Sequence, residues 1–296
     1  MGRAPAGRRS LRPAPGDRPA APAAAGPPLR VTTRNADFQQ WQALLANRAK
    51  RTARRELLIQ GVRPISQAVE HGWPVRELLV RDGQRLSAWA EGIRAGFRGR
   101  CVLLAPELME ELGERSDGPP ELILVAEQPP DDPGRLVPRH GAPVVALDRP
   151  SSPGNLGTVL RSADAFEAAG VLVTGHAADP YDPKSVRAST GSLFALPVVR
   201  LGPEEEVEAW VEAGRQRAPD LLVVGTDEGG EVDVRDAEWW RPTVLVVGNE
   251  GTGMSRGWRA RCDLTVRIPM GGSASSLNAA TAASILLYEA RRSRRG

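Results

Sequence analysis

Three short polar segments lie in fixed order in the second half of this 296-residue chain. They are Asn155-x-Gly157-x3-Arg161, then Gly248-Asn249-Glu250-Gly251-x-Gly253, then Ile268-Pro269-Met270 leading to Ser275-Ser276-Leu277-Asn278-Ala279. Each segment follows an apolar run and combines a glycine- or serine-rich turn with side chains that can reach a ligand. This is how α/β enzymes build a site at the carboxyl ends of their strands.

The residue types suit a site that binds a cofactor and an anionic substrate. Glycine lets the backbone approach a ligand where a Cβ would clash, so residues 248–253 can cradle a cofactor. Arg161 is permanently charged, which favours phosphate binding or stabilisation of a developing alkoxide over service as a literal base. For Asn155, Ser276 and Asn278 the alternative is plain helix capping, because each lies where a helix is predicted to begin.

Alternatives also remain open for the two charged residues of these segments. Arg161 could form a surface salt bridge with Asp164 or Glu167. Glu250 is the only acid in its glycine turn and could hold Arg161, although Glu is common in exposed turns.

The second half of the chain alternates predicted strands with predicted helices. Apolar runs predict strands over 144–147, 171–173, 221–224, 243–247 and 264–268, and helices are predicted from 157, near 184, over 204–213 and from 277. Such alternation predicts an α/β fold with a parallel sheet covered on both faces. No GxGxxG follows the first strand and no Walker sequence is present, so an ordinary Rossmann or P-loop site is not indicated.

The first half predicts a smaller α/β domain over residues 31–126. Phe38, Trp41 and Leu44 recur at helical spacing, with Asn35 or Asp37 available as a cap. Strands are predicted over 56–60, 75–80 and 101–104, and helices over 65–71 and 86–93. A Pro- and Gly-rich stretch predicts a linker at 127–142, which leaves 143–296 as the catalytic domain and 1–30 as a disordered Pro/Ala/Arg-rich tail.

Positive charge is concentrated at the amino-terminal end, although the formal net charge is only +3. Residues 31–60 carry a basic cluster that is typical of phosphate contact: Arg34, Arg48, Lys50, Arg51, Arg54 and Arg55. A solvated tail and helix face is the alternative interpretation. Neither an apolar run of membrane-spanning length nor a signal peptide is visible, and the two cysteines suggest neither a disulfide nor a zinc site. A reducing cytoplasm is therefore expected.

The three segments together resemble the SpoU/TrmH branch of the SPOUT superfamily of RNA 2′-O-ribose methyltransferases. The resemblance implies a knotted parallel sheet with a deep trefoil knot, S-adenosylmethionine as methyl donor, no metal, and a homodimer. It implies that Arg161 is the central catalytic residue, assisted by Asn155, Glu250, Ser276 and Asn278. The implied cofactor contacts are Thr226, Gly248, Asn249, Gly251, Gly253, Ile268, Met270 and Leu277.

The resemblance extends to residues 38–45, 61–74 and 176–194, which are similar to members of this branch that methylate a uridine ribose in large-subunit rRNA. It implies a 23S rRNA substrate, an RNA-binding role for the first domain, and RNA contacts by Arg63, Lys184 and Arg187. Antibiotic resistance and routine ribosome maturation are both compatible with it. Three alternatives stay open: a tRNA 2′-O-methyltransferase of the same branch, a noncatalytic ribosome-binding protein, and, more distantly, a nicotinamide-dependent enzyme.

Overall fold

A computed structural model describes residues 29–113, 119–273 and 275–293 of the chain. Most of the predicted tail, residues 1–28, lies outside the described residues. Leu29 and Arg30, which were assigned to that tail, belong instead to a first strand. The folded part therefore begins before the predicted boundary at residue 31.

The first half of the chain forms a five-stranded mixed sheet of order β1-β4-β3-β5-β2. Strand β5 is antiparallel to β2 and β3, and the other neighbours are parallel. The elements are β1 Leu29–Val31, α1 Ala36–Ala46, α2 Arg48–Arg54, β2 Glu56–Gln60, α3 Val62–Glu70, β3 Val75–Arg81, α4 Ala88–Gly96, β4 Arg100–Leu104, α5 Pro106–Leu112 and β5 Leu122–Glu127.

Helix α1 shows how the sequence pattern produces these elements. The side chain of Asn35 accepts a hydrogen bond from the Phe38 amide and caps the helix, as predicted. Phe38, Trp41 and Leu44 then bury one face against the sheet. The sequence did not predict β1, α2, α5 or β5, because these segments are short or, in β5, lie in an apolar run that was taken only as the domain end.

The second half forms a seven-stranded sheet of order β10-β12-β9-β11-β6-β7-β8. All recorded neighbours are parallel, which confirms the predicted parallel sheet. The elements are β6 Val144–Asp148, α6 Pro153–Ala165, β7 Gly170–Thr174, α7 Pro183–Ala188, β8 Val198–Leu201, α8 Glu204–Arg217, β9 Leu222–Thr226, β10 Val232–Asp233, β11 Thr243–Val247, α9 Arg256–Arg261, β12 Leu264–Arg267 and α10 Ala279–Ser293.

Apolar residues cover both faces of both sheets. One cluster, with Trp41 and Met109, lies between the first sheet and helices α1 and α5. A second, with Trp210 and Trp258, lies between the parallel sheet and helices α8 and α9. The third runs from Leu57 in the first sheet to Leu245 in the second, so the two halves share a continuous core.

The segment predicted as a linker is closely packed. It contains a short 3₁₀ helix, Pro133–Arg135, and Leu136 is fully buried beneath the parallel sheet. The Asp131 carboxylate accepts hydrogen bonds from the Arg200 guanidinium at 2.7 and 2.9 Å. These contacts fix the segment to the second half of the molecule rather than leaving it as a loose tether.

Across residues 29–113, 119–273 and 275–293, each helix is too short or too polar to cross a bilayer.

Candidate active site

A cleft of about 510 Å³ opens where the carboxyl ends of β9, β11 and β12 meet the start of α10. Its volume falls in the range of small-molecule sites. Every residue predicted to contact a cofactor lines it: Thr226, Gly248, Asn249, Gly251, Gly253, Ile268, Met270 and Leu277. Of the predicted catalytic residues, Glu250 and Ser276 also line it.

The loop after β11, residues 248–253, forms the centre of the cleft wall and is called the glycine loop here. Asn249 and Gly253 exchange two backbone hydrogen bonds, at 3.1 and 2.9 Å, which close the loop into a narrow turn. A Cβ on Gly248 would lie 2.4 Å from the backbone of Gly253 and Met254. Gly253 adopts φ +65°, a conformation that favours glycine. These two glycines are therefore required by the loop itself.

Gly251 differs from the other two glycines of this loop. Its φ is not in the left-handed region, and an added Cβ would meet only the Asn249 Oδ1 at 3.6 Å, an ordinary contact. The protein alone leaves room for a side chain there. A close approach by a ligand remains the predicted reason for this glycine.

The Asn249 side chain shapes the loop instead of pointing freely into the cleft. Its Oδ1 accepts hydrogen bonds from the Gly251 and Thr252 amides at 2.9 and 3.1 Å. Its Nδ2 donates to the Arg149 carbonyl at 2.7 Å. The side-chain amide of Asn249 is therefore held within the loop by hydrogen bonds to the protein.

The rest of the cleft has the mixed character that S-adenosylmethionine requires. Val247, Ile268 and Leu286 supply apolar surface for an adenine ring, while the backbone of the glycine loop supplies polar groups. Asp227 and Glu228 contribute acidic side chains at one side, which suit a ligand with a positively charged sulfonium or hydroxyl groups. The residues present therefore fit this cofactor.

A hydrogen-bond network joins the three sequence segments beside the cleft. The Asn155 Nδ2 donates to the Glu250 Oε1 at 2.9 Å, and the Asn278 Nδ2 donates to the Asn155 Oδ1 at 3.3 Å. The second oxygen of Glu250 accepts from the Ser151 hydroxyl at 2.9 Å and from the Ser151 amide at 3.3 Å. Residues separated by more than 90 positions thus form one polar cluster.

The network also fixes the ionisation state of Glu250. Partial burial by itself raises the pKa of this carboxyl, but hydrogen bonds from Asn155, Ser151 and the Glu250 backbone outweigh that effect. The pKa of Glu250 is held below its ordinary value, so the side chain is a carboxylate at neutral pH. A carboxylate only accepts hydrogen bonds, which orients the amide of Asn155.

Asn155 does not cap helix α6, which was the alternative to its predicted catalytic role. Helix α6 begins at Pro153, and the Ser152 hydroxyl accepts the capping hydrogen bond from the Asn155 amide. The predicted start near Gly157 was wrong because Pro is favoured in the first helical turn and Ser152 precedes it. The Asn155 side chain is therefore free to join the polar cluster.

Asn278 combines both of its predicted properties. Its Oδ1 accepts hydrogen bonds from the Ala280 and Thr281 amides at the start of α10, while its Nδ2 reaches Asn155. Ser276 lies before the helix, is exposed, and lines the cleft, so it does not cap α10.

Arg161 lies about two turns into α6 and is exposed. Among the described residues it makes no hydrogen bond or ion pair. The two acids considered as salt-bridge partners are engaged elsewhere: Asp164 accepts a hydrogen bond from Ser192, and Glu167 pairs with Arg291. Its guanidinium is thus available to a substrate.

Several residues of the site were not singled out in the sequence. Ser151 binds Glu250, Arg149 binds the glycine loop, and the Asp227 carboxylate pairs with Arg259 at 2.8 Å in the cleft wall. Asp148, Arg149 and Asp227 directly follow or end apolar strands. Polar residues at the carboxyl ends of parallel strands were the signal that could have revealed them.

One predicted RNA-binding residue is contradicted. Arg51 is 2% exposed, forms salt bridges with Asp179 and Asp182, and donates to the carbonyls of Leu44 and Leu45. A side chain held in this way cannot present its charge to phosphate. The sequence pattern could not distinguish it from its basic neighbours, because its acidic partners lie about 130 positions away.

The other predicted RNA contacts lie at the surface, several with protein partners. Arg34 and Arg54 pair with Glu111 and Glu56, and Arg48, Arg55 and Arg63 donate to the carbonyls of Ala177, Gln128 and Thr190. The side chains of Lys50, Lys184 and Arg187 are also exposed.

Within the part of the chain that the structure describes, no group of three or more His, Cys, Asp and Glu side chains is arranged to hold a metal ion.

The parallel sheet, the cofactor-sized cleft at its carboxyl ends and the polar cluster beside it define an α/β enzyme with a small-molecule cofactor. Residues 142–288 match the SpoU rRNA Methylase family, and residues 35–124 match the SpoU L30e-like domain. The chain belongs to the SpoU rRNA Methylase family.

Individual relatives and solved structures agree with this membership. The chain is 57% identical over 266 residues to the 23S rRNA (uridine(2479)-2′-O)-methyltransferase of Streptomyces viridochromogenes, covering 90% of this chain and 92% of that protein. It is 29% identical to the Bacillus subtilis 23S rRNA (guanosine(2553)-2′-O)-methyltransferase RlmP, over 88% and 98% of the two chains.

The fold is also similar to the crystal structure of the SpoU methyltransferase AviRb from Streptomyces viridochromogenes in complex with the cofactor AdoMet. The TM-score is 0.85 at 56% identity, covering 89% of this chain and 99% of that one. The predicted family, the predicted RNA ribose methyltransferase activity and S-adenosylmethionine as its methyl donor are thereby confirmed.

Proposed function

We propose that this enzyme methylates the ribose 2′-hydroxyl of one uridine in 23S rRNA. The support is its 57% identity, over nine-tenths of the chain, to a protein named for that reaction. A relative named for a guanosine target is only 29% identical, which favours uridine. We further propose that the reaction takes place in the cytoplasm, where ribosomal RNA is found, and confers resistance to an antibiotic that targets the ribosome.

The polar cluster of Asn155, Glu250 and Asn278 is the observation that supports this proposal most directly. It joins one residue from each of the three segments by hydrogen bonds, and its Glu250 lines the cleft. A site that only bound the ribosome would have no need for such a cluster beside a cofactor-sized cleft.

Different residues of the chain are proposed to bind the methyl donor, orient the ribose and stabilise the developing charge. Bound S-adenosylmethionine supplies an electrophilic methyl group. The glycine loop and Ile268, Met270 and Leu277 hold the donor, and the amides of Asn155 and Asn278 orient the target ribose. Arg161 binds the neighbouring phosphate and stabilises the alkoxide that develops as the hydroxyl passes its proton to solvent water. Ser276, at the cleft wall, contacts the same nucleotide.

We propose that Glu250 positions Asn155 and does not accept the proton itself. Both of its carboxylate oxygens already receive hydrogen bonds from Asn155 and Ser151. Its lowered pKa also makes it a weak proton acceptor. The fixed carboxylate would instead keep the Asn155 amide in one orientation at each turnover.

The first half of the chain, residues 29–126, is proposed to bind the RNA substrate. Its match to the SpoU L30e-like domain supports this role, as do the exposed side chains of Lys50, Arg55 and Arg63. Lys184 and Arg187 extend the basic surface onto the catalytic half. Their charges would neutralise phosphates and make binding dependent on salt.

A trefoil knot and a homodimer complete the proposal. Family membership supports a path in which the segment after β12 passes through the loop that precedes it. Exposed apolar residues at and near α10, namely Met270, Leu277 and Tyr288, support a dimer contact there. Sedimentation equilibrium tests the dimer, and a mass of one chain at micromolar concentration would contradict it.

The experiment that tests the function is transfer of tritium from labelled S-adenosylmethionine to 23S rRNA, 16S rRNA and bulk tRNA. Alkali-resistant linkages are then mapped, because 2′-O-methylation blocks alkaline cleavage. The proposal predicts label at one uridine of 23S rRNA. Label confined to tRNA would contradict it in favour of a tRNA methyltransferase, and cofactor binding without transfer to RNA or ribosomal particles would favour a noncatalytic role.

A further inference from the structure

We propose that Arg149, which lies outside the three sequence segments, is a positioning residue that holds the glycine loop in the shape that binds S-adenosylmethionine. The inference rests on the proposed use of this cleft as the cofactor site. Arg149 is the first residue after β6, and β6 lies beside β11, the strand that leads into the glycine loop. It therefore approaches the loop from the neighbouring strand.

The guanidinium of Arg149 joins a buried carboxylate to the loop. It pairs with Asp148 through the Nε and Nη2 atoms at 3.0 and 3.1 Å, and the Asp148 side chain is 4% exposed. The Nη2 also donates to the Gly253 carbonyl at 2.9 Å, and the Nη1 donates to the Thr252 hydroxyl at 3.3 Å. The carboxylate fixes the guanidinium, and the guanidinium fixes the far side of the loop.

The backbone of the same pair of residues holds the two ends of the loop. The Arg149 carbonyl accepts a hydrogen bond from the Asn249 Nδ2 at 2.7 Å. Just beyond the loop, the Ser255 amide donates to the Asp148 carboxylate at 2.6 Å. The beginning, the far side and the exit of the loop are thus all attached to residues 148 and 149.

The local backbone is arranged to allow this geometry. Arg149 adopts φ +52°, a left-handed conformation that is uncommon for a residue with a side chain. The aliphatic part of the side chain lies against Gly175, where an added Cβ would come within 2.8 Å of the Arg149 Cγ. Such conformations persist where surrounding contacts impose them, and they are concentrated at binding sites.

Loss of the Arg149 contacts should change the affinity for the cofactor in particular. A loop that binds a ligand through its backbone must be held within a fraction of an ångström, since loosened donors lose affinity. Arg149 binds Thr252 and Gly253 but is itself absent from the cleft lining. It would therefore act on cofactor affinity through the loop and not by direct contact.

The test compares Arg149→Lys with the wild-type protein by calorimetry of S-adenosylmethionine binding and by steady-state kinetics. Lysine keeps a positive charge beside Asp148, but one ammonium cannot also bind Thr252 and Gly253 as a planar guanidinium does. The Kd and KM for the cofactor should rise about tenfold, the effect of one net hydrogen bond from a charged group. The KM for RNA should stay close to the wild-type value.

The matched control is Arg235→Lys. Arg235 also pairs through two nitrogens with a carboxylate near it in sequence, Asp233, but it follows the edge strand β10 and lies outside the cleft lining. Its substitution should leave cofactor affinity unchanged. Unchanged affinity in Arg149→Lys as well would overturn the inference, and so would an equal loss in the control.

A second variant, Thr252→Val, tests the same connection independently in case Arg149→Lys does not fold. It removes the hydroxyl that accepts from Arg149 and should weaken cofactor binding by a smaller factor. In the double variant the two losses should not add, because both break the same connection. Fully additive losses, or unchanged affinity in Thr252→Val, would contradict the proposed role.

The same measurements on the wild-type protein distinguish a failure of this inference from a failure of the proposed function. If it neither binds S-adenosylmethionine nor transfers label, the function and the inference both fail. If it does both while Arg149→Lys binds the cofactor normally, only the inference fails. A merely stabilising Arg149 would lower the thermal midpoint without changing Kd at temperatures well below that midpoint.

Discussion

Arg51 lies in helix α2 and Arg161 in helix α6; Arg51 was predicted to contact RNA and Arg161 to be the central catalytic residue. Arg51 proves to be buried, with its side chain 3% exposed and its charge balanced by Asp179 and Asp182. Arg161 is exposed and, within the described residues, has no charged partner. The difference shows that the surroundings of a guanidinium, and not its presence in a basic segment, decide whether it can act on a substrate.

The two sites also differ in what they connect. Arg51 joins the end of α1 and helix α2 to the segment before α7, so it links the first half of the chain to the second. Arg161 projects from α6, whose amino end carries Asn155. We therefore expect loss of Arg51 to change stability, and loss of Arg161 to change turnover.

Arg51→Ala should have the largest effect on stability. Removing one partner of a buried ion pair leaves the Asp179 carboxylate, 4% exposed, without its main counter-charge. Such a change costs about 3–5 kcal/mol. Urea unfolding should show this loss of unfolding free energy. A loss below about 1 kcal/mol would show that Arg51 is not the structural link described here.

Arg161→Ala should lower kcat by about 10²–10³-fold, the usual cost of losing one group that stabilises a developing anion. Thermal stability and cofactor Kd should stay near the wild-type values, because the side chain is exposed and lies outside the cleft lining. Single-turnover kinetics with saturating RNA separates turnover from substrate binding. Methylation at close to the wild-type rate would remove Arg161 from the reaction.

Gly251→Ala should weaken S-adenosylmethionine binding about tenfold without harming the fold. The position has ordinary backbone geometry and room for a Cβ, so the substitution should be neutral or stabilising by about 0.4–1 kcal/mol. Gly202→Ala is the matched control, since its Cβ would meet nothing within 4 Å and it lies outside the cleft. Equal cofactor affinity in the two variants would show that the ligand does not approach Gly251.

The smallest expected effect is on how the stability of the fold depends on pH. The pKa of Glu250 is lowered in the folded protein, so its contribution to stability is present above the ordinary value of 4.5 and is lost as pH falls through the folded pKa. The stability difference between wild type and Glu250→Gln should therefore be constant from neutral pH to about pH 5.5 and shrink below it. A difference that already disappears between pH 7 and pH 6 would mean that the pKa of Glu250 is raised.

The sequence brought together the residues that line the cleft, because they lie in short continuous segments. Gly248 to Gly253, Ile268 and Leu277 all reach the cleft, since a turn after a parallel strand must open at the carboxyl edge of the sheet. Several strands, such as Val144–Asp148 and Thr243–Val247, were equally clear from their apolar runs. The short β10 and α9 gave no such signal.

Contacts between distant segments could not be read from the sequence. The acidic partners of Arg51 are more than 120 positions away, and the Arg149 guanidinium binds residues of the glycine loop more than 100 positions away. The start of α6 was predicted too late for a local reason: Ser152 and Asn155 are both residue types that can cap a helix. Only the packed structure shows which of two equivalent side chains is used.

We propose that the polar cluster orients a ribose 2′-hydroxyl to receive the methyl group of S-adenosylmethionine. The most direct measurement uses two synthetic RNAs of the mapped 23S site, one natural and one with 2′-deoxyuridine at the target position. Both should bind with similar affinity, and only the natural RNA should accept tritium from S-adenosylmethionine. Methyl transfer to the 2′-deoxy RNA at a comparable rate would contradict the claim, because the acceptor would then be another atom.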